Sequence, residues 1–425
     1  MSIRRAVPGG LLDAGLASLA SFCTTSYATW LLTPADLGTY ALFFSAFLVA
    51  AVVSTQVVFS PAEILALRYE SSRRLRLLEQ SLRLGFLPVL GAAIVGVLAA
   101  VAGSAGAPSD VVTPLALTSG ACVLVSPVQD HMRRLLHSAG HSWRAATMSA
   151  TLLVIVLACL LLLHRLGIGP AWVPFGSLFV ANATSLVVGL LLVLGKRRSL
   201  EPLERLKIGE LARLGRWLLP IGLTPTAASF VAGVLVTHFA SASALGYVQA
   251  AGLLSQPMYV LTVGLSAVLG PRLMQAGAER RADDARRVSR PFWIGLVVAA
   301  SLYLLGAGFP WPLNPLPQLV PNAYVVAGLV PLMVIAQSLQ GMLQPLRMQL
   351  TGARWFRTLL RLELSSSTLL CLGSASAAIT GPFALPLGSI AWGLVGLYLL
   401  GRACHRLYAE KPQPAEGRSR LSQFP

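Results

Sequence analysis

Charge is what this sequence has least of. Only 12% of its 425 residues are Asp, Glu, Lys or Arg, against about a quarter in a soluble globular chain. With 55% hydrophobic residues and a mean hydropathy of +0.70, that deficit excludes an ordinary soluble domain and implies a polytopic membrane protein. Acidic residues are the scarcer sign, 16 against 33 basic. No basic stretch is interleaved with aromatics, which argues against nucleic acid as a partner. Cysteine is sparse and odd in number: Cys23, Cys122, Cys159, Cys371 and Cys404, all but the last inside apolar runs. These have no zinc-ligand spacing and make no disulfide framework, so they read as packing residues. The motif GxxxxGK[ST] is missing, which removes ATP hydrolysis by a P-loop, and no cofactor is implied.

What is present is a series of twelve stretches, each of about 20 predominantly apolar residues and long enough to span a bilayer. The first, behind Arg4 and Arg5, runs from about Gly10 to Leu32 and reads as an uncleaved helix rather than a signal peptide. Every Lys and Arg except Arg165 falls on the N-terminus, on a loop after an even-numbered span, or on the tail. The positive-inside rule then places both termini in the cytoplasm, with a basic collar that attracts anionic membrane lipids. The opposite loops are short turns rich in Pro or Gly and too small for an extracellular catalytic domain.

The organisation follows: a six-helix bundle over 1–195, a polar linker over 196–216, a second bundle over 217–401, and a disordered cytoplasmic tail over 402–425. The linker has Leu203, Leu206, Leu211 and Leu214 on roughly one helical face. It reads either as an amphipathic helix on the membrane surface or as a plain basic loop.

The two halves repeat one another. PADLGTY after the first span returns as SASALGY after the seventh, aligning Leu37-Gly38 with Leu245-Gly246. Gly140 and Trp143 return as Gly352 and Trp355, and Pro61 as Pro271, all at an offset of about 210 residues. Six spans is an even number, so the repeats are parallel and related by an axis along the membrane normal. The expected fold is therefore all-α, two parallel six-helix repeats around a central cavity. Pro220 and Pro225 are expected to kink the seventh span, and the first has no counterpart prolines.

LLTPADLGTYALFFSAF in the first two spans, HFASASALGYVQAAGLLSQP in the seventh and eighth, and the two G-x-x-W loops carry a resemblance across about Gly10 to Gly401. The chain resembles the oligosaccharide-lipid and polysaccharide flippases, the O-antigen and teichoic-acid exporter kind, of the multidrug/oligosaccharidyl-lipid/polysaccharide (MOP) superfamily. That resemblance implies a V-shaped cavity between two bundles in the bacterial cytoplasmic (inner) membrane. It also implies alternating access, a lipid-linked glycan as substrate and glycan-assembly enzymes as partners.

Polar residues inside a membrane are costly and serve as default site candidates. Gln337, Gln340 and Gln344 recur at i, i+3 and i+7 on the tenth span, as cavity lining suited to sugar hydroxyls or as contacts between helices. Gln249 and Gln256 share a face of the eighth span, and Gln56 stands alone on the second. Asp13, Glu63, Asp130 and Glu363 are candidates for proton-coupled transport, for pairing with arginine, or for hydration near the cytoplasmic ends. Arg68, Arg133, Arg134, Arg272 and Arg347 are topological anchors or, as the resemblance implies, ligands for a phosphate headgroup. His131, His137 and His141 do not make a metal site, because Gly140 interrupts a helical pair and the second half has no histidine there. Ser18, Ser21, Thr25 and Asn182 either face the lumen or pack closely. The leading function is flipping of a lipid-linked glycan. The alternatives are a cation-coupled multidrug or small-molecule antiporter of the same fold and, behind both, a membrane glycan polymerase or acyltransferase. No catalytic residues emerge, because the outer loops carry no clustered acid–base pair.

Overall fold

A computed structural model of the chain describes residues 3–66, 71–194, 207–308 and 319–409. Arg68, the tail beyond 409 and residues 196–206 of the linker lie outside these. The first half contains α1 (Ile3–Leu31), α2 (Pro34–Ser54), α3 (Ser60–Ala66), α4 (Ser71–Gly103), α5 (Ser109–Ser138), α6 (Ser142–Arg165) and α7 (Val173–Leu194). A π-helical turn, Thr55–Phe59, joins α2 to α3 in one rod. The second half contains α8 (Ile208–Phe239), α9 (Ala242–Ala278), α10 (Ala282–Gly308), α11 (Leu329–Gly352) and α12 (Phe356–Ala375). The short α13 (Ala377–Thr380) and α14 (Ala384–Ala409) close it as one span. Each half makes six traverses, and the fold is all-α with twelve transmembrane helices.

Nine of the described helices are long and apolar enough to cross a membrane by themselves, and α9 adds a tenth as two pieces meeting at 53°. That break falls beside residue 267, whose carbonyl would accept from residue 271 in a regular helix. Residue 271 is proline and has no N–H to give. The remaining two, α1 and α12, carry Ser, Thr and charged residues that dilute their apolar character. Each traverses within its bundle, α1 packed on α6 and α12 on α8 and α14.

The duplication is visible in the packing. Within the first half α1 packs on α6, α2 on α4 and α5, and α7 on α5 and α6. In the second, α8 packs on α12, α9 on α10 and α11, and α14 on α11 and α12. The turns that open α2 and α9 are built alike, because the Thr33 and Ser241 hydroxyls accept from the backbone N–H three residues on, at Asp36 and Ala244. These are N-caps, and Pro34 sits where a helix tolerates it best. The G-x-x-W match shifts by two residues. The left-handed residue that ends the helix is Gly140 (φ +78°) in one half and Arg354 (φ +60°), not Gly352, in the other. Gly352 serves a different need: a Cβ there would lie 1.9 Å from the Met274 carbonyl oxygen, so only glycine lets α11 approach α9 so closely.

One sequence expectation changes here. The described part of the linker, from Lys207 to Arg216, is not a separate surface helix. It forms the first turns of α8, with Leu211 buried against Ala62 and Leu65 of the other half. The seventh span keeps both prolines inside one unbroken helix. Thr224 and Ser229 each donate one turn back along it, to the Pro220 and Pro225 carbonyls.

The halves meet along α2 with α8 and α9, and along α1 with α9. At the charge-poor end the contact is backbone to backbone across Gly38 and Gly246. The Trp30 indole N–H donates to the Leu319 carbonyl (3.0 Å) and the Tyr324 hydroxyl to that of Leu32. At the arginine-rich end Gly215 of α8 sits on the Val57 carbonyl in the π-turn.

Candidate functional site

A cavity of about 590 Å³ lies between α2 and the second bundle. Ser45 and Leu48 form its α2 wall. Pro225, Thr226 and Ser229 come from α8, and Tyr259, Thr262 and Ser266 from α9. The α11 wall carries Gln337, Gln340, Gln344 and Arg347, and Ser389 and Trp392 of α14 face it. A second cavity of about 240 Å³ continues toward the arginine-rich end and shares Pro225, Gln344 and Arg347 with the first. Spacing explains the stripe: residues three, four and seven apart on a helix share a face, and this face of α11 borders the cavity.

The wall is largely apolar, with neutral amides and hydroxyls set into it and one charged group. Arg347 makes a two-point ion pair with Glu363 of α12, Nε to Oε1 at 2.5 Å and Nη2 to Oε2 at 2.8 Å. Its guanidinium carbon lies 5.9 Å from the Trp392 ring centre. Glu363 is 2% exposed, so the pair is desolvated and each partner depends on the other. Gln340 donates weakly to the Ser389 carbonyl at 3.3 Å.

The first bundle gathers the other charges at its arginine-rich end. Asp13, 3% exposed, accepts from His137 Nε2 (2.8 Å) and Ser149 Oγ (2.6 Å) and faces Arg133 Nε at 3.3 Å. Arg133 also reaches Asp130 at 3.5 Å, on a more exposed carboxylate. Glu63 contacts His131 Nδ1 at 2.9 Å and lies 4.0 Å from Arg134. The fully buried His131 stacks on Phe59 of the π-turn and shares a 2.7 Å hydrogen bond with Ser81 through Nε2.

The candidates from sequence therefore divide. Gln337, Gln340, Gln344 and Arg347 share one cavity wall, and Glu363 backs it. Asp13, Glu63, Asp130, Arg133 and Arg134 cluster in the other half and line neither cavity. Gln56 stands apart from it too, packed on Gly222 at the seam of the halves. Gln249 and Gln256 are half-buried on α9 and line neither cavity; Tyr259, Thr262 and Ser266 do that work instead. Arg272 is exposed. The histidines matter in a way their spacing did not reveal. His131 and His137 hold carboxylates, and among the described residues no His, Cys, Asp and Glu group has metal-ligand geometry.

No family model and no curated protein sequence matches the chain. Solved structures do. A multidrug resistance MATE family transporter of the MOP superfamily, in its inward-facing conformation, superposes with a TM-score of 0.70 at 12% identity, covering 95% of this chain and 100% of that one. The fold is that of the MATE transporters of the MOP superfamily. An outward-facing conformation of such a transporter gives 0.68 at 13% identity, covering 97% and 96%. A MOP superfamily transporter from Pyrococcus furiosus gives 0.67 at 13% identity, covering 95% and 96%. Full coverage at this level makes the likeness one of the whole MATE fold, not of one bundle.

Proposed function

We propose that the protein is an alternating-access transporter of a small organic molecule, with its arginine-rich end in the cytoplasm and its cargo held against the glutamine face of α11. The observation that carries this reading is the cavity itself. At 590 Å³ it falls within the range of about 300–1,000 Å³ that suits drug-sized ligands. Its amides and hydroxyls orient a cargo, while Tyr259 and Trp392 offer flat apolar faces. Parallel six-helix repeats that meet along α2, α8 and α9 suit a carrier that opens by rocking one bundle on the other.

A second reading, flipping of a lipid-linked glycan, is favoured by the polysaccharide-exporter resemblance and by the same three glutamines. Their donors and acceptors match sugar hydroxyls, and the cavity has room for a sugar portion while a lipid stays in the bilayer. A deletion strain separates the two. Accumulation of a lipid-linked intermediate supports flipping, and loss of dye or drug efflux supports the small-molecule carrier. A deletion that changes neither sinks both.

For either cargo, Gln340→Leu with Gln344→Leu removes two hydrogen-bonding groups worth about 0.5–1.5 kcal/mol each. Export at limiting cargo should fall by roughly tenfold or more. The measurement is transport rate at matched protein level in the membrane. Unchanged export would take the α11 face out of the cargo path.

A further inference from the structure

One feature of the cavity wall is unlike the rest. Among the described residues that line the two cavities, Arg347 is the one cation and Glu363 the one carboxylate. Arg347 lines both cavities, whereas Glu363 lines only the smaller, so the guanidinium reaches the cargo space from which its counter-ion is set back.

We infer that Arg347 is the seat for an anionic group on the cargo, a phosphate or a carboxylate, and that Glu363 occupies that seat until the cargo arrives. The inference rests on the cavity being the cargo site. Its chemistry is that of exchange between two acceptors. Glu363 meets the guanidinium through Nε and Nη2, and an incoming phosphate or carboxylate can use the same fork. The surroundings favour an acceptor. The Trp392 indole N–H and the Ser266 hydroxyl, both on residues of the cavity wall, are buried without a hydrogen-bond partner. Such donors carry a desolvation cost that an arriving acceptor relieves. A pair whose only task is to join α11 to α12 has no need of a cavity, and apolar residues of like volume do that task as well.

Three substitutions in the full-length protein, held in phosphatidylcholine nanodiscs, test it by equilibrium binding. The soluble probe is glucose 1-phosphate; a second arm uses nanodiscs carrying a polyprenyl phosphate. Glu363→Gln should bind the anion about tenfold more tightly than the wild type, because an internal competitor is gone from a charge-assisted site. Arg347→Gln combined with Glu363→Gln leaves two neutral amides in place of the pair, so it should keep the fold and lose binding. Trp392→Phe should weaken binding severalfold through the lost donor. Binding in the soluble arm alone assigns a free metabolite, and in the lipid arm alone a lipid-carried group. No saturable binding in either arm, or full binding by the double variant, overturns the inference. Should Glu363→Gln fail to fold, the wild type against the double variant decides. Transport that persists in a protein binding no anion would leave the transport reading intact and remove only this one.

Discussion

Gly38→Ala and Gly246→Ala should each reduce export by at least tenfold while leaving the protein folded and inserted. A Cβ at Gly38 would lie 1.8 Å from the Ala242 carbonyl oxygen, and one at Gly246 2.0 Å from that of Pro34. Both obstacles are backbone, with no flexible side chain to swing aside. The two glycines are repeat mates, so each bundle inserts the second residue of its Leu-Gly pair against the chain just before or within the other's turn. That reciprocal contact closes the charge-poor end. Overpacking costs about 1–3 kcal/mol in a core, and contact with a carbonyl stands at the upper end. The whole cost falls on the closed state, because the contact does not exist once the halves separate. At about 3 kcal/mol the balance between closed and open shifts by roughly 150-fold. A single cysteine at Ser45, on the cavity wall, should then react faster with a membrane-impermeant maleimide added from the charge-poor side. Gly264→Ala is the control, since nothing lies within 4 Å of its Cβ position. Equal labelling and equal export in all three variants would show that this seam does not gate.

Much of the architecture was legible because charge placement carries it. Hydropathy is weaker in α1 and α12, whose Asp13, Ser18, Ser21 and Thr25, or Arg361, Glu363 and Ser365–Ser367, dilute the apolar signal. The alternation of basic loops counted both, since dropping either span would have put arginines on both sides. The glutamine stripe was legible for a similar reason, because three, four and seven are helical periods that a linear sequence displays. Its neighbour across the cavity was not. Which face α14 or α9 turns toward α11 depends on ridge packing between helices far apart in sequence, so Trp392 and Ser266 gave no signal while Gln249 and Gln256 gave a misleading one. Pairings suffered the same way. Asp13 and His137, and Glu63 and His131, are individually visible, but their contacts cross from α1 or α3 to α5. The repeat could not supply them either, because the second half has no histidine at those places. One more miss has a local cause. Arg354 occupies the left-handed turn position that glycine takes in the first half, so matching glycine to glycine set the register two residues off.

Replacing Asp13 should be the most damaging single change in the first bundle. Its carboxylate is held by donors from two helices, His137 of α5 and Ser149 of α6, with Arg133 of α5 beside it. Asp13→Ala leaves three polar groups without the acceptor they surround. Among the described residues Arg133 then keeps the 3.5 Å contact to Asp130, on a carboxylate that is 45% exposed. Breaking a buried pair from one side costs about 3–5 kcal/mol, mostly as the penalty on the group left behind. The apparent unfolding free energy in SDS titration should therefore drop by that amount. Asp13→Asn discriminates between two roles for this site. An amide keeps the shape and one acceptor for Ser149 but removes the charge that Arg133 and His137 face. If the cluster is a clamp that lets α1, α5 and α6 move as one body, stability and export should fall together. Adding His137→Ala should then cost less than it does alone, since contacting residues couple by about 0.5–3 kcal/mol. If Asp13 instead gains and loses a proton during the cycle, Asp13→Asn should unfold like the wild type and still fail to export. The packing favours the clamp, because two short hydrogen bonds and an arginine beside the carboxylate tie α1 to both α5 and α6.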